Sequence, residues 1–325
     1  MTAAPRFQLI TLDSPASTFA DDVRRGLGAS PKSLPPRWFY DSVGSALFDA
    51  ICNLPEYYVT RAETKILTTN AAAIAKAFGT PARIVELGSG TARKTRLLLD
   101  QLEDIEYVPV DVDAETLSRT GRDLLGEYPS IRITAVCSDF MQPSRPMNAL
   151  PPVSGRTIVL FLGSTIGNLD PGPARAMLRD LRASLQEEDS LFLGADLRKS
   201  RAVLEAAYDD ALGVTAAFNR NVLQRINREL GGQFDLSAFT HRAFYDEILG
   251  RIEMHLVSTR EQRVFIAAIE ETIAFAKDET IHTESSHKYD RATLEALASD
   301  SGFAIEAWWS DVEERFADLL LVAKR

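Results

Sequence analysis

From residue 83 onward, short runs of β-branched and aliphatic residues alternate with segments whose apolar residues recur at helical spacing. This alternation constrains the fold more than any other feature of the chain. The runs are RIVELG (83–88), YVPVDVD (107–113), IRITAVCSDF (131–140), RTIVLFLG (156–163) and SLFLGAD (190–196). Between them, ARKTRLLLDQL, AETLSRTGRDLLGEY and GPARAMLRDLRASLQ carry the period of amphipathic helices. Parallel strands need a crossover, and a helix between successive runs supplies it, so the pattern predicts an α/β fold: a doubly wound, mostly parallel sheet with helices on both faces. After a long interruption come RATLEALASDSG, FAIEAWWSD and FADLLLVAKR. The last two runs are joined by a short polar link and are expected to form an antiparallel pair closing the sheet edge.

Two stretches stand outside the alternation. Residues 1–60 are rich in Pro and aromatic residues, and residues 199–285 mix helical and strand-like patterns. The expected organisation is a Rossmann-like domain of residues 61–198 and 286–325, and a second, discontinuous domain of residues 1–60 and 199–285 that roofs the strand ends. There is no internal repeat and no low-complexity segment.

Charge and cysteine content narrow the partners. A net charge of −10 without a long basic run argues against nucleic acid, whose phosphates require clustered Lys and Arg. No apolar stretch approaches the roughly 20 residues that span a bilayer, and the start MTAAPRFQLITLDSP lacks a basic end followed by a long apolar segment. A cytoplasmic monomer acting on small molecules, with no membrane partner, is expected. Cys52 and Cys137 are too few for a disulfide framework and read as small apolar residues.

The glycine turn in VELGSGTARKT (85–95) then asks for a ligand. A glycine-rich turn between the first strand and a helix lets backbone N–H groups approach one closely. The dinucleotide fingerprint G-x-G-x-x-G fails at its third glycine, which here is Arg93. The triphosphate loop is nearer, because Gly88, Lys94 and Thr95 fall correctly, yet Arg93 again replaces a glycine that phosphate needs. The third candidate, S-adenosylmethionine, carries no phosphate. An acidic residue at the end of the second strand, Asp111, is placed to hold ribose hydroxyls. At the end of the third, Asp139 is placed to accept from the adenine amine, and Phe140 to give its backbone N–H. The order of these three signals on consecutive strands favours S-adenosylmethionine.

Longer strings carry a family resemblance. PKSLPPRWFYDSVGSALFD, LPEYYVTRAE, VELGSGTARKTRLLLD, FLGSTIGNL, AYDDALGVTAAFNRNVLQRINREL and RIEMHL resemble the histidine-specific Nα-methyltransferases of ergothioneine biosynthesis, over nearly the whole length after the first twenty or so residues. The resemblance implies a seven-stranded methyltransferase sheet with a substrate-binding second domain. It also implies successive transfer of three methyl groups from S-adenosylmethionine to the α-amine of L-histidine, giving hercynine. Residue by residue, it places Gly88, Lys94, Asp111, Asp139 and Phe140 on the methyl donor. Tyr57, Gly163, Asn168 and Tyr208 fall on the substrate amine and carboxylate, with Tyr57 and Asn168 in the catalytic positions, and Tyr40 falls in the pocket. Glu284 and Ser286 match the pair that holds the imidazole, with Met254 on the same wall. The chain departs most around that pair, where His282 and His287 make the segment more polar.

The chemistry accounts for such residues. Only the neutral amine attacks a methyl group, and orientation alone supplies about 7–11 kcal/mol in favourable cases. Asn168 and Tyr57 can orient the lone pair without a charge that locks the proton. The product is a quaternary ammonium, which the faces of Phe48 and Tyr57 can stabilise by roughly 0.5–2 kcal/mol. Glu284 and Ser286 offer an acceptor and a hydroxyl for the two ring nitrogens.

Other readings stand beside these. Tyr57 and Tyr58 can cover a domain junction, Asn168 can be a turn residue of GNLDPG, and Met254 can fill core. His282, Glu284 and His287 lack the spacing of H-E-x-x-H, and no metal is expected. His241 and His255 read as structural or surface residues. The rival functions are an Nα-methyltransferase acting on tryptophan or another aromatic amino acid, a non-catalytic S-adenosylmethionine sensor, and a nucleotide hydrolase.

Overall fold

The computed structural model describes residues 6–12 and 17–324. The start of the chain, read above for a leader, lies partly outside the described residues. The strands in chain order are β1 (Phe7–Thr11), β2 (Lys32–Ser33), β3 (Arg83–Leu87), β4 (Glu106–Asp111), β5 (Arg132–Cys137), β6 (Thr157–Phe161), β7 (Ser190–Asp196), β8 (Phe239–Asp246), β9 (Arg251–Ser258), β10 (Gln262–Ile266), β11 (Glu271–Phe275), β12 (Thr280–His287), β13 (Phe303–Ser310) and β14 (Phe316–Ala323). The chain divides into two compact units. One comprises the N-terminal strand, Ala62–Leu197 and Tyr289–Arg325; the other comprises Ala16–Arg61 and Arg198–Lys288.

In the first unit eight strands form one sheet in the order β1-β5-β4-β3-β6-β7-β14-β13. The strands from β1 to β7 pair in parallel, and β14 runs antiparallel to both β7 and β13. Every position of β3, β6 and β7 is buried, as expected of strands covered on both faces, and their Ile, Val and Leu side chains fill the two cores of the unit. The sequence leads from β3 to β4 and β5 on one side and then to β6 and β7 on the other, so β3 is where the strand order reverses. Ligands of α/β sheets bind at the carboxyl ends of strands at such a switch point.

Two local expectations change. The sheet has eight strands rather than seven, and the added one, β1, comes from residues assigned above to the second domain. It pairs Phe7–Thr11 with Ile133–Cys137 and lays the Phe7 ring over Gly121 of the helix Ala114–Glu127, where a Cβ would come within 2.4 Å of that ring. The helix expected over 92–102 is confined to Arg96–Leu99, because Ala92 has a positive φ and the chain before Arg96 is a series of turns. The longest helix among the described residues, Tyr58–Phe78, lies in an Ala- and Thr-rich stretch and buries Val59, Ala62, Ile66, Leu67, Ile74 and Phe78.

The second unit holds a four-stranded sheet ordered β2-β12-β9-β8 and the hairpin β10–β11. RIEMHLVS becomes β9, with Ile252, Met254, Leu256 and Ser258 buried and the alternate residues half-buried. The unit also holds the helices Phe19–Gly28 and Ser42–Ile51 and, in its later segment, the pair Arg201–Tyr208 and Val214–Leu230. The second is started by Asp210, whose carboxylate accepts from the Val214 and Thr215 N–H groups at 3.0 and 2.7 Å.

Candidate active site

In the first unit the glycine turn leaves β3 at the switch point. Gly88 and Gly90 have φ of +73° and +49°, a region that glycine enters without penalty. A Cβ on Gly88 would come within 3.1 Å of the Phe140 ring, whereas the space beside Gly90 is open. Asp111, at the end of the neighbouring strand, ties this turn down: its Oδ2 accepts the Gly90 N–H at 2.9 Å, and its Oδ1 accepts Val112 and Asp113 N–H groups at 2.7 and 3.2 Å. A carboxylate offers about four acceptor sites, so about one is left for a ligand hydroxyl. Burial pushes the Asp111 carboxyl above its ordinary range against the pull of these N–H groups. Asp139 accepts the Met141 N–H at 2.9 Å. Because β3, β4 and β5 are adjacent, Gly88, Asp111, Asp139 and Phe140 all stand along one edge of the sheet. The left-handed turn, its open side at Gly90 and the acceptor at the next strand end suit a ribose-bearing ligand without phosphate.

Lys94 turns inward and pairs with fully buried Glu63, whose other oxygen accepts the Gly163 N–H at 2.7 Å. A lysine neutralised in this way, before a four-residue helix, is poorly placed for a triphosphate. Gly163 has φ of +76°, and its N–H is already committed to Glu63. Asp318 on β14 is buried nearby with both oxygens unpartnered among the described residues; burial and then the Glu63 charge push its carboxyl well up. Glu86 of the ELGSG motif is also buried, accepts the Tyr107 hydroxyl, and is pushed up to about 7 by that burial. Asn168 ends a 3₁₀ turn after β6, half-buried, and its amide has no hydrogen-bond partner among the described residues.

The second unit brings its expected residues together. Asp41 starts the helix Ser42–Ile51 by accepting the Gly44 N–H at 2.7 Å, and Asn221 and Arg228 hold the same carboxylate. Gly44 cannot be replaced, since a Cβ there would lie 1.7 Å from the Phe39 carbonyl oxygen. This anchoring sets a chain of rings, Tyr40 to Phe48 at 5.7 Å, Phe48 to Tyr57 at 6.2 Å and Tyr57 to Tyr208 at 6.1 Å between centroids, with Phe218 packed against the first two. Burial, then the neighbouring Tyr208, push the Tyr57 phenol well up, so its hydroxyl keeps its proton. His241 fixes the helix end that carries Tyr208: its Nε2–H donates to the Tyr208 carbonyl at 2.8 Å while Nδ1 accepts from Asn219 at 2.9 Å, and burial lowers its pKa.

Beside that ring chain, β12 presents Glu284 and, two residues on, Ser286 on the same face, with Met254 directly opposite Glu284 on β9. Met254 and Ser286 are buried, and so is Glu284 at 8% exposure. Among the described residues the Glu284 carboxylate has no hydrogen-bond partner; burial pushes it up to about 7, and the positive charge of Lys288 pulls it back. The Tyr208 hydroxyl donates to Ser286 Oγ at 2.8 Å, and Lys288, 2% exposed, donates to both oxygens at 2.8 and 3.0 Å. Lys288, Glu63 and Phe218 are not singled out in the sequence, although Glu63 and Phe218 lie inside quoted motifs and Lys288 follows His287 directly. Among the described residues, Glu253, His255 and His282 bring potential metal-ligand atoms within 4.8 Å of one another. Glu253 there is already paired with Arg251 and with His255.

Comparison with known proteins agrees with this arrangement of motifs. Residues 19–323 match the family described as histidine-specific, S-adenosylmethionine-dependent methyltransferases. A histidine N-alpha-methyltransferase of Mycolicibacterium smegmatis is 49% identical over 306 residues, covering 93% of this chain and 94% of the relative. A second, from Mycobacterium tuberculosis, is 47% identical over 307 residues with coverages of 93% and 94%. Ergothioneine biosynthesis protein 1 of Schizosaccharomyces pombe is 31% identical over 242 residues, covering 71% of this chain and 31% of that longer protein. The chain therefore belongs to the histidine-specific, S-adenosylmethionine-dependent methyltransferases.

Proposed function

We propose that this methyltransferase transfers three methyl groups in succession from S-adenosylmethionine to the α-amine of L-histidine, forming hercynine in ergothioneine biosynthesis. The observation that carries the reading to histidine is Glu284, a buried carboxylate with no hydrogen-bond partner among the described residues, beside the Ser286 hydroxyl. An unpartnered buried carboxylate is costly, and an N–H from a ligand removes that cost. Imidazole supplies an N–H to Glu284 and a bare nitrogen to Ser286. An indole has no bare ring nitrogen to offer Ser286, so tryptophan is the weaker substrate.

When bound, S-adenosylmethionine supplies an electrophilic methyl group on a sulfonium. Gly88 and Phe140 shape its cradle, Asp111 offers its remaining acceptor site to the ribose, Asp139 accepts from the adenine amine, and Lys94 with Glu63 stiffens the turn. The α-amine must shed its proton before each transfer. By the family resemblance Tyr57 and Asn168 serve the amine: in the first two transfers each can accept an amine N–H and so orient the lone pair, and neither is a carboxylate that would hold the proton back. Tyr208 and Gly163 serve the amino-acid end; for Gly163 this means setting the backbone path, since its N–H is committed to Glu63. The rings of Phe48, Tyr57 and Tyr40 face the growing cationic charge, at roughly 0.5–2 kcal/mol per favourable contact.

The enzyme is taken to work as a cytoplasmic monomer on free histidine, with neither nucleic acid nor membrane as partner. No helix among the described residues is long and apolar enough to cross a membrane. Incubation with S-adenosylmethionine and each amino acid in turn, followed by mass spectrometry, tests the reading. Histidine gaining three methyl groups supports it; methylation of tryptophan in preference to histidine overturns it.

A further inference from the structure

Lys288 is a lysine buried to 2% exposure, two residues beyond Ser286. Its ammonium donates to Ser286 Oγ at 2.8 Å and to the Tyr208 hydroxyl oxygen at 3.0 Å, and it stands 4.7 Å from the centroid of the Tyr208 ring. The Tyr208 hydroxyl in turn donates to Ser286 Oγ at 2.8 Å. A serine hydroxyl has one proton and two acceptor lone pairs. Both lone pairs of Ser286 are occupied by these two donors, so its hydroxyl can only donate. An ammonium has no lone pair and cannot reverse its role, and the phenol is the more acidic of the two hydroxyls, so the direction of the network is set.

We propose that Lys288 is a positioning residue for substrate choice: by filling the acceptor sites of Ser286 it makes that hydroxyl an obligate donor, matched to the bare nitrogen of a neutral imidazole. This rests on the reading that Glu284 and Ser286 hold the ring. With Glu284 as acceptor and Ser286 as donor, the pocket is a template for one tautomer. An imidazolium would point an N–H at a hydroxyl whose lone pairs are taken, and a ring with carbon in place of the bare nitrogen would leave the hydroxyl proton unmatched. Without Lys288, Ser286 regains a lone pair, turns freely, and accepts or donates as the ligand requires.

The test compares histidine with the two pyrrolylalanines, in each of which one ring nitrogen is replaced by CH. The readout is kcat/KM for the wild type, Lys288→Met and Ser286→Ala, with affinity for S-adenosylhomocysteine measured on each. The wild type is expected to favour histidine over the better pyrrole by about 10-fold or more, the range of one unmatched buried hydrogen bond. Lys288→Met is expected to compress that ratio to about threefold or less, with KM for histidine rising more than kcat falls and with unchanged affinity for S-adenosylhomocysteine. Lys288→Arg, which keeps a charged donor, is expected to recover part of the ratio; it also serves as the folded comparison if the methionine variant is unstable. If Ser286→Ala compresses the ratio and Lys288→Met leaves it at the wild-type value, the role of Lys288 is wrong and the imidazole reading stands. If Ser286→Ala itself leaves the ratio untouched, the imidazole reading is wrong.

Discussion

Asp111, at the end of β4, and Glu284, in the middle of β12, are carboxylates of different units, and they are held in opposite ways. Asp111 accepts three backbone N–H groups and keeps about one acceptor site in reserve, whereas Glu284 is buried and accepts nothing from the described protein. The same contrast runs through the units. In the first, the buried charge of Glu63 is spent on Lys94 and on the Gly163 N–H, so charge there builds the turn as well as serving a ligand. In the second, Glu284 accepts no hydrogen bond from a described residue, and we propose that it serves the substrate. Removing Lys94 should therefore damage the architecture of the first unit, whereas removing Glu284 should cost the second only its selectivity.

The largest expected effect is on Lys94. Lys94→Met leaves Glu63 buried and unpaired, which should lower unfolding free energy by about 3–5 kcal/mol in denaturant titrations. Adding Glu63→Gln should restore most of the loss. A Lys94→Met protein that unfolds at the wild-type midpoint would show that the Lys94–Glu63 pair does not hold the turn.

Next comes pH. Glu284 has a carboxyl raised from 4.5 to about 7 in the folded protein. Between those values the folded state binds more protons than the unfolded state, so stability is lost as pH rises from about 4.5 to 7, by about 3 kcal/mol in the absence of histidine. Glu284→Gln should remove that part of the slope and unfold at a higher temperature than the wild type at pH 8. Glu86, raised to about 7 in the other unit, adds a slope of the same sign to both proteins and cancels in the difference. Parallel pH–stability curves for the two proteins would show that Glu284 is not desolvated.

A smaller effect is expected at Asn168, whose amide bonds to no described residue. Asn168→Ala should change stability by no more than about 0.5 kcal/mol while lowering turnover of histidine about 10- to 100-fold. A loss of stability matching the loss of turnover would return Asn168 to the role of a turn residue.

The sequence made most of the sheet legible because β3 to β7 are strongly apolar and separated by amphipathic helices, and physics leaves such a pattern few arrangements. SLFLGAD became β7 residue for residue. The place of β1 was hidden, since FQLIT is a short strand whose partner lies more than a hundred residues away in β5. The site was legible where a motif fixes a backbone path, as at Gly88 and Asp111. It was illegible where a role depends on the third dimension: Lys288 looks like a surface lysine next to a strand, and only the fold seats it on Ser286 and Tyr208. Glu63 and Lys94 are likewise joined by tertiary structure alone, across a separation of 31 residues.

The most direct measurement is made on Glu284→Ala, taking three quantities from one preparation: thermal stability, S-adenosylhomocysteine affinity and histidine affinity in its presence, the last two by calorimetry. Expected are stability at or above the wild type at pH 8, unchanged affinity for S-adenosylhomocysteine, and histidine binding weaker by about 10- to 100-fold, the worth of one charge-assisted hydrogen bond. Unchanged histidine affinity, or a fall in all three quantities together, would contradict a substrate role for Glu284.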